Sequence, residues 1–565
     1  MAANGYDGLC EEIYEQIYER LERRDEETLR FAPRGTAKKV LHVNNLLRFF
    51  RSLLIPGRTA MDQFGLAEED LAARINSRHL HDFLAILIFA TCGIEAARTF
   101  ATRLVAEGDD AEWPAADGGG NTVRALPASR EGLVTLFGNV VTADKFFSKQ
   151  ACFCPVVIRK REEFRVQDLE AQRLPYLAET RLGKGSFGEV FKVRIAKGHF
   201  YDPQAKAANV EPAEMARKDY LTSLEFTAGE EREIMEQILN SPARTCENIL
   251  ENYGSLEIGT GVTKTYSLFM PLAICDLRAY MMDHHKARPN TIRGRASIIL
   301  SAQGLAGGLN FLHTQMKTSD MDDLVCYHMD LKPSNILVFR DTRNGETRNI
   351  WKVSDFGMAR VKIRRRGQDG DRERNFDSWF VRRQRPQDPS LSATLNRRGE
   401  GTYLAPESLS STRSMKAESD VWSLGCIISV VFAYLEEGSK GVERYQDARM
   451  VHPHADLYDR FFLRGRFSRT KTHPVVNRWH THLIDKANQR DPAEGEVVKT
   501  MLRYLEDRVF EIDQSKRRGA KDVERMLVET FRAYKALSET GSTPNLGETQ
   551  SKPHDQSIWL KMLSR

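Results

Sequence analysis

Asp330, Lys332 and Asn335 stand within six residues in His328-Met329-Asp330-Leu331-Lys332-Pro333-Ser334-Asn335, and Asp355-Phe356-Gly357 begins twenty residues after Asn335. A carboxylate that accepts a proton, a lysine that neutralises phosphate oxygens and two hard oxygen ligands are what phosphoryl transfer to a hydroxyl needs. In that chemistry Asp330 orients the acceptor hydroxyl and takes its proton. Lys332 faces the γ-phosphate, and Asn335 and Asp355 hold Mg²⁺. A single aspartate is more often structural than catalytic, so the weight falls on the whole set.

A second constellation lies upstream. Gly183-Lys184-Gly185-Ser186-Phe187-Gly188-Glu189-Val190 follows a strand-like entry at Arg181-Leu182. Glycines let a backbone turn tightly and bring amide hydrogens against phosphate oxygens. Dinucleotide-binding folds share that spacing, but there a helix follows the loop. Here the β-like Val190-Phe191-Lys192-Val193-Arg194-Ile195 follows.

Together these motifs resemble the eukaryotic protein kinases, and Lys332-Pro333 points to the Ser/Thr branch. The resemblance covers roughly residues 177–532. It implies an α+β, bilobal fold, with a small β-rich lobe at about 177–272 and a large helical lobe at about 273–532. It implies ATP and Mg²⁺ as cofactors and proteins as substrates. Met215-Ala216-Arg217-Lys218 is similar to the third-strand motif, so Lys218 would hold the α/β-phosphates and Ala216 would leave room for adenine. Leu182 and Val190 would pack on adenine, and Leu337 would form the floor beneath it. Ser267-Leu268-Phe269-Met270-Pro271-Leu272 resembles the strand and hinge between lobes. There Phe269 would guard a back pocket, while the Met270 carbonyl and Leu272 amide would pair with the adenine edge; Pro271 has no amide to donate. Glu231, with Ile234 and Ile238 on the buried face of its helix, would pair with Lys218; Glu230 and Glu233 compete for that role.

Further downstream, Gly401-Thr402-Tyr403-Leu404-Ala405-Pro406-Glu407 resembles the end of an activation segment. Thr402 would hydrogen-bond Asp330 and Lys332, and Glu407 would pair with Arg517. Asp420 would brace the catalytic loop from the start of a buried helix. One residue departs from the family: the arginine usual before the catalytic aspartate is Met329, the non-RD arrangement. A methionine cannot gather a loop phosphate. The chain is similar, more narrowly, to filamentous-fungal Ser/Thr kinases with a helical N-terminal extension.

These side chains need elements to position them. Ile336-Leu337-Val338-Phe339 and Asn349-Ile350-Trp351-Lys352-Val353 read as strands around an Asn344-Gly345 turn, a hairpin that brings Asn335 and Asp355 close. Leu9, Ile13, Ile17 and Leu21 recur at helical spacing, as do Val43, Leu46, Leu47, Phe50, Leu53 and Leu54; a third apolar stretch runs from about Leu71 to Phe89. The division expected is a helical region over 1–106, a linker or mobile loop over 107–130, a helical or irregular connection over 131–176, the kinase domain, and a tail over 533–565. The N-terminal helices read either as an extension packing on the kinase or as a module for a separate partner. Residues 362–398 hold eleven basic and five acidic residues, a net +6. That stretch reads as a solvated loop, a phosphosite segment around Ser390, Ser392 and Thr394, or an import patch at Lys362-Ile363-Arg364-Arg365-Arg366.

The 565 residues exceed a single core. With 41% hydrophobic and 28% charged residues, most of the chain should fold. A net charge of +5 is too small to argue for nucleic acid. The eight cysteines form no CxxC pair and suit reduced thiols. Phe83 to Ala90, read as the most apolar run, is too short to span a membrane. No secretory or prenylation signal is evident, so an intracellular protein, cytoplasmic or nuclear, is expected. The rival to an active Ser/Thr kinase is a pseudokinase or scaffold that keeps the fold and binds partners without catalysis.

Overall fold

The computed structural model describes residues 2–107, 126–166, 169, 172–184, 188–203, 211–220, 238, 246–259, 264–318, 321–343, 346–364, 401–409, 415–451, 459–463 and 470–540. The chain divides into two compact units. One comprises Met1–Leu277, Phe311–Phe339 and Lys352–Phe376; the other comprises Arg278–Asn310, Arg340–Trp351 and Asp377–Arg565.

Apolar spacing of three and four residues builds the start of the first unit. Leu9, Ile13 and Ile17 lie on the inner face of the helix Ala2–Tyr18 and are buried, as is Leu21 just beyond it. The helix Val43–Ser52 buries Leu46, Phe49 and Phe50, whereas Val43, expected in the same series, is its exposed first residue. The stretch expected from Leu71 to Phe89 is two helices, Glu68–Ser77 and His81–Phe89, because His79 takes a left-handed φ of 55° between them. Phe83 closes the core against Phe146 and Phe100, with ring centroids 4.5 and 5.4 Å away.

This helical region touches His199, in the turn after the strand Gly188–Ile195, through Phe31 and Arg34. The Ala32 amide donates to the Cys152 carbonyl at 2.7 Å, and the Arg34 amide donates to His199 Nε2 at 2.9 Å. Phe31 meets the His199 ring edge-on. Most of the expected linker, residues 108–125, lies outside the described residues. Near its end, Ser129 caps the helix Arg130–Phe137 by accepting from the Gly132 amide.

Six strands form the main sheet, in the order Glu163–Val166, Gly254–Ile258, Thr265–Pro271, Ala213–Tyr220, Gly188–Ile195, Tyr176–Lys184. All neighbours are antiparallel except the first pair. The parallel edge strand Glu163–Val166 lies within the expected helical or irregular connection over 131–176, whose first part is the helices Arg130–Phe137 and Val140–Gln150. Glu163-Phe164-Arg165-Val166 alternates polar and apolar over four residues, the shortest run that reads as a strand. A Cβ at Gly188 would lie 1.9 Å from the Asp219 carbonyl oxygen, so only glycine fits where the loop rejoins the sheet. The strands Ile336–Arg343 and Glu346–Val353 are neighbours in a second sheet, as the hairpin reading required; Asn344 and Gly345 themselves lie outside the described residues.

The second unit is helical. Most of Ile292–Thr314 joins Ala417–Met450, Pro474–Arg490, Pro492–Tyr504 and Ala520–Thr540. The last of these runs past the expected domain end at residue 532. Proline opens two of these helices, where its missing amide costs no hydrogen bond, and Asp491 caps the second by accepting from Ala493. Ala417–Met450 is long and apolar enough to cross a membrane by length and composition. Yet 94% of its most apolar window is buried inside the protein, as in a core helix. It breaks at Gly438 (φ 69°), where a Cβ would come within 2.5 Å of the Lys286 carbonyl oxygen. The α+β class is therefore as expected: a sheet through residue 271, then a mainly helical remainder.

Candidate active site

Period-two alternation on Ala213–Tyr220 sends Ala216 and Lys218 to one face of the sheet. Cross-strand partners share a face, and Lys218 pairs with Val190 on one side and Leu268 on the other, while Ala216 pairs with Met270. Val190, Ala216, Lys218, Leu268 and Met270 thus line one surface. Phe269 does not. It lies opposite Arg217, fully buried in a core with Val193, Met215 and Leu256. The expectation that Phe269 guards the nucleotide pocket is corrected, because register places its neighbours Leu268 and Met270 on the Lys218 side. Leu182 is half exposed at the strand's end, Leu272 is partly buried beyond the hinge strand, and Leu337 pairs with Asp276 on the sheet Cys275–Asp276 shares with Ile336–Arg343.

Lys218 Nζ donates to Asp355 Oδ1 at 2.9 Å, joining the main sheet to the residue expected to hold metal. Burial alone would raise the Asp355 carboxyl pKa. The Lys218 charge and hydrogen bond outweigh it, helped by His328 and Lys332, and hold the group below the ordinary carboxylate value. Asp355 sits at φ 61° and Met329 at φ 68°, conformations costly for residues with side chains.

The catalytic loop is tied to that position by backbone contacts. Lys332 Nζ donates to Asp330 Oδ2 at 2.8 Å. The Asn335 amide nitrogen donates to the Asp330 carbonyl at 2.8 Å and to Oδ2 at 3.2 Å, which leaves the amide oxygen to accept or ligate. The Ser354 hydroxyl and amide both donate to the Asn335 carbonyl at 2.9 Å. His328 Nε2 lies 2.8 Å from the Ser354 carbonyl, and its ring meets the buried Phe356 edge-on at 5.2 Å. Asp330, Lys332, Asn335, Asp355 and Lys218 are thereby gathered in one unit. Ser354 had no role in the sequence reading; a serine beside a motif aspartate carries no signal until the hairpin is closed.

Glu231, Gly185, Ser186 and Phe187 lie outside the described residues, as do Ser390, Ser392, Thr394 and most of the basic stretch 362–398. Gly183 and Gly188 flank the loop at the ends of their strands. In the second unit Thr402 is buried, and Glu407 pairs with Arg517 as anticipated. Arg517 Nη1 and Nη2 reach Glu407 Oε1 and Oε2 at 2.8 and 3.2 Å, both side chains are fully buried, and Ser419 Oγ adds a third bond at 2.6 Å.

The model of the protein kinase domain matches residues 176–525, more than half of the chain. The chain belongs to the protein kinase family. It is similar to the probable cyclin-dependent kinase 9 of Caenorhabditis elegans, 27% identical over 44% of this chain and 42% of that one. The serine/threonine-protein kinase SSN3 of Coccidioides immitis is 26% identical over 50% and 49%. The tyrosine-protein kinase JAK3 of Rattus norvegicus is 28% identical over 47% and 19%. The matched parts span less than half of each of these relatives.

Proposed function

We propose that this kinase is an active, ATP- and Mg²⁺-dependent protein serine/threonine kinase of intracellular signalling. What carries the reading is the array around Asp355: Lys218 at 2.9 Å, with Asp330, Lys332 and Asn335 fastened to it through Ser354. Lys332-Pro333 and Thr402 favour hydroxyls of serine and threonine, although relatives of both specificities match. Asp330 orients the acceptor hydroxyl and takes its proton. Lys332, already hydrogen-bonded to Asp330, carries positive charge to the transferring group. Lys218 keeps Asp355 ionised. The residues present fit Mg²⁺: one carboxylate with an oxygen left beside the Lys218 contact, and one amide whose nitrogen is committed and whose oxygen is not. Bound there, the ion would offset phosphate charge. The N-terminal helical region, which touches His199 through Phe31 and Arg34, serves as a support for the small lobe.

The test is Mg²⁺-dependent transfer of labelled phosphate from ATP to a generic basic protein, followed by phosphoamino-acid analysis, for the wild type, Asp355→Ala and Lys218→Met. Labelled serine or threonine from the wild type alone is the expected outcome. Equal incorporation by all three, or none by any, would remove the assignment in favour of a scaffold.

A further inference from the structure

The second unit contains a cavity of about 450 Å³ unrelated to the phosphate-handling residues. Ligand sites commonly measure about 300–1,000 Å³. Its walls are the segment Tyr280–His284, the following loop to Pro289, the first turns of Ile292–Thr314, Asn349, and Tyr434 from the long helix.

These walls are held in place by hydrogen bonds rather than by chance packing. The Tyr434 hydroxyl donates to the His285 carbonyl at 2.7 Å, and the Ser439 amide donates to the Lys286 carbonyl at 2.9 Å. The break at Gly438 lets the loop pass this close, since any side chain there would strike the Lys286 carbonyl oxygen and the Arg288 amide. On the opposite wall Ser301 Oγ donates to the Asn349 carbonyl at 2.7 Å, and Asn349 Nδ2 donates to the Tyr280 hydroxyl at 3.2 Å. A site fixed before its ligand arrives avoids the cost of ordering.

The chemistry of the lining is one-sided. Lys286 contributes a cation and His284 and His285 contribute imidazoles, and among the described residues no aspartate or glutamate lines it. Among the described residues neither Lys286 nor the adjacent Arg288 forms an ion pair. Tyr280 and Tyr434, both largely buried, form the aromatic floor of the cavity, with the Tyr280 and His285 rings 4.4 Å apart. Because the Asn349 amide nitrogen donates to Tyr280, the amide oxygen is the acceptor that side chain has left. Aromatic surface, a basic rim and one acceptor together select a ring that carries a donor and an anion.

We propose that this cavity is a second ligand site, for a small aromatic anion: a ring bearing a hydroxyl or amino group and one phosphate or carboxylate. The ring lies against Tyr280 and Tyr434, the anion meets Lys286, and the ring substituent donates to Asn349.

Calorimetric titration of the full chain with 4-hydroxyphenyl phosphate and with 4-hydroxybenzoate tests this, with phenol as the neutral control. Saturable binding of at least one anion at a single site is expected, and the tighter of the two identifies the head group. Lys286→Glu, a change at an exposed side chain, weakens binding about tenfold or more. Ser297→Phe, which fills the cavity, abolishes it, and Lys218→Met leaves it unchanged. Melting curves confirm that each variant is folded. No saturable binding of either anion, equal binding of phenol, indifference to Lys286→Glu, or loss in Lys218→Met would each overturn the proposal.

Discussion

Lys218 Nζ and Asp355 Oδ1, 137 positions apart in sequence, are 2.9 Å apart in space. The bond joins the central strand of the main sheet to the end of the hairpin that begins at Asn335. It lowers the Asp355 pKa against the upward push of burial, so the carboxylate stays charged where a divalent cation needs it. Lys218→Met removes the charge while keeping most of the volume. Phosphate transfer is expected to fall about 10²-fold or more, as when other preorganised electrostatic contacts are deleted. Steady-state kinetics with Mg²⁺-ATP check this; an unchanged kcat/KM would assign the pair to structure alone.

Glu407 and Arg517 make a second, independent prediction, about stability. Burial raises the Glu407 pKa, but Arg517 and Ser419 outweigh it, so the folded value lies below the ordinary 4.5. A depressed carboxyl pKa means that the folded state binds fewer protons. The contribution is therefore complete above about pH 4.5 and is lost as pH falls through the folded value. Glu407→Gln leaves the Arg517 charge buried, and a loss of about 3–5 kcal/mol at neutral pH is expected. Denaturant titrations at pH 7 and pH 4 should show a smaller gap between variant and wild type at the lower pH. A gap that widens there would contradict the pairing.

The docking of the N-terminal helices depends on a neutral histidine. His199 Nε2 accepts from the Arg34 amide while Nδ1 lies 3.0 Å from the Val156 carbonyl, so one tautomer satisfies both. Burial lowers its pKa, with the Val156 contact opposing and Arg34 assisting. A histidine with a folded value below 6.5 favours the folded state most above that pH, and the contribution is lost as pH falls through the folded value. Hydrogen exchange at the Arg34 amide should accelerate between pH 7.5 and 5.5 beyond the intrinsic chemical change. In His199→Gln, which can still accept there, the extra acceleration should disappear. Equal pH dependence in both proteins would count against this mechanism.

Met329 makes a regulatory prediction. Its side chain cannot bind phosphate, and its φ of 68° shows that the loop adopts its strained backbone without an arginine there. Phosphatase treatment of the purified kinase should leave its turnover unchanged. Activity that disappears on dephosphorylation and returns on rephosphorylation would show that another group does the arginine's work.

The motifs made the catalytic loop, the hairpin and the Glu407–Arg517 pair legible, because each is set by short spacing or by complementary charge. What escaped the sequence depended on register and on long-range closure. Phe269 looked like a pocket residue until pairing with Arg217 sent it to the opposite face, since a shift of one residue exchanges the faces of a strand. The strand Glu163–Val166 alternates over four residues only, the shortest run that reads as a strand. The break at His79 was invisible because a left-handed histidine leaves no compositional mark. Gly438 looked like any helix glycine until the loop at Lys286 was seen to need its space.

The central claim is that Asp330, held by Lys332 and Asn335, orients the acceptor hydroxyl and takes its proton. Asp330→Asn, assayed for phosphate transfer and for Mg²⁺-ATP affinity on the same preparation, tests it most directly. Turnover is expected to fall about 10²–10⁴-fold, the range for loss of a positioned general base, with nucleotide affinity retained. Turnover within the wild-type range would contradict it.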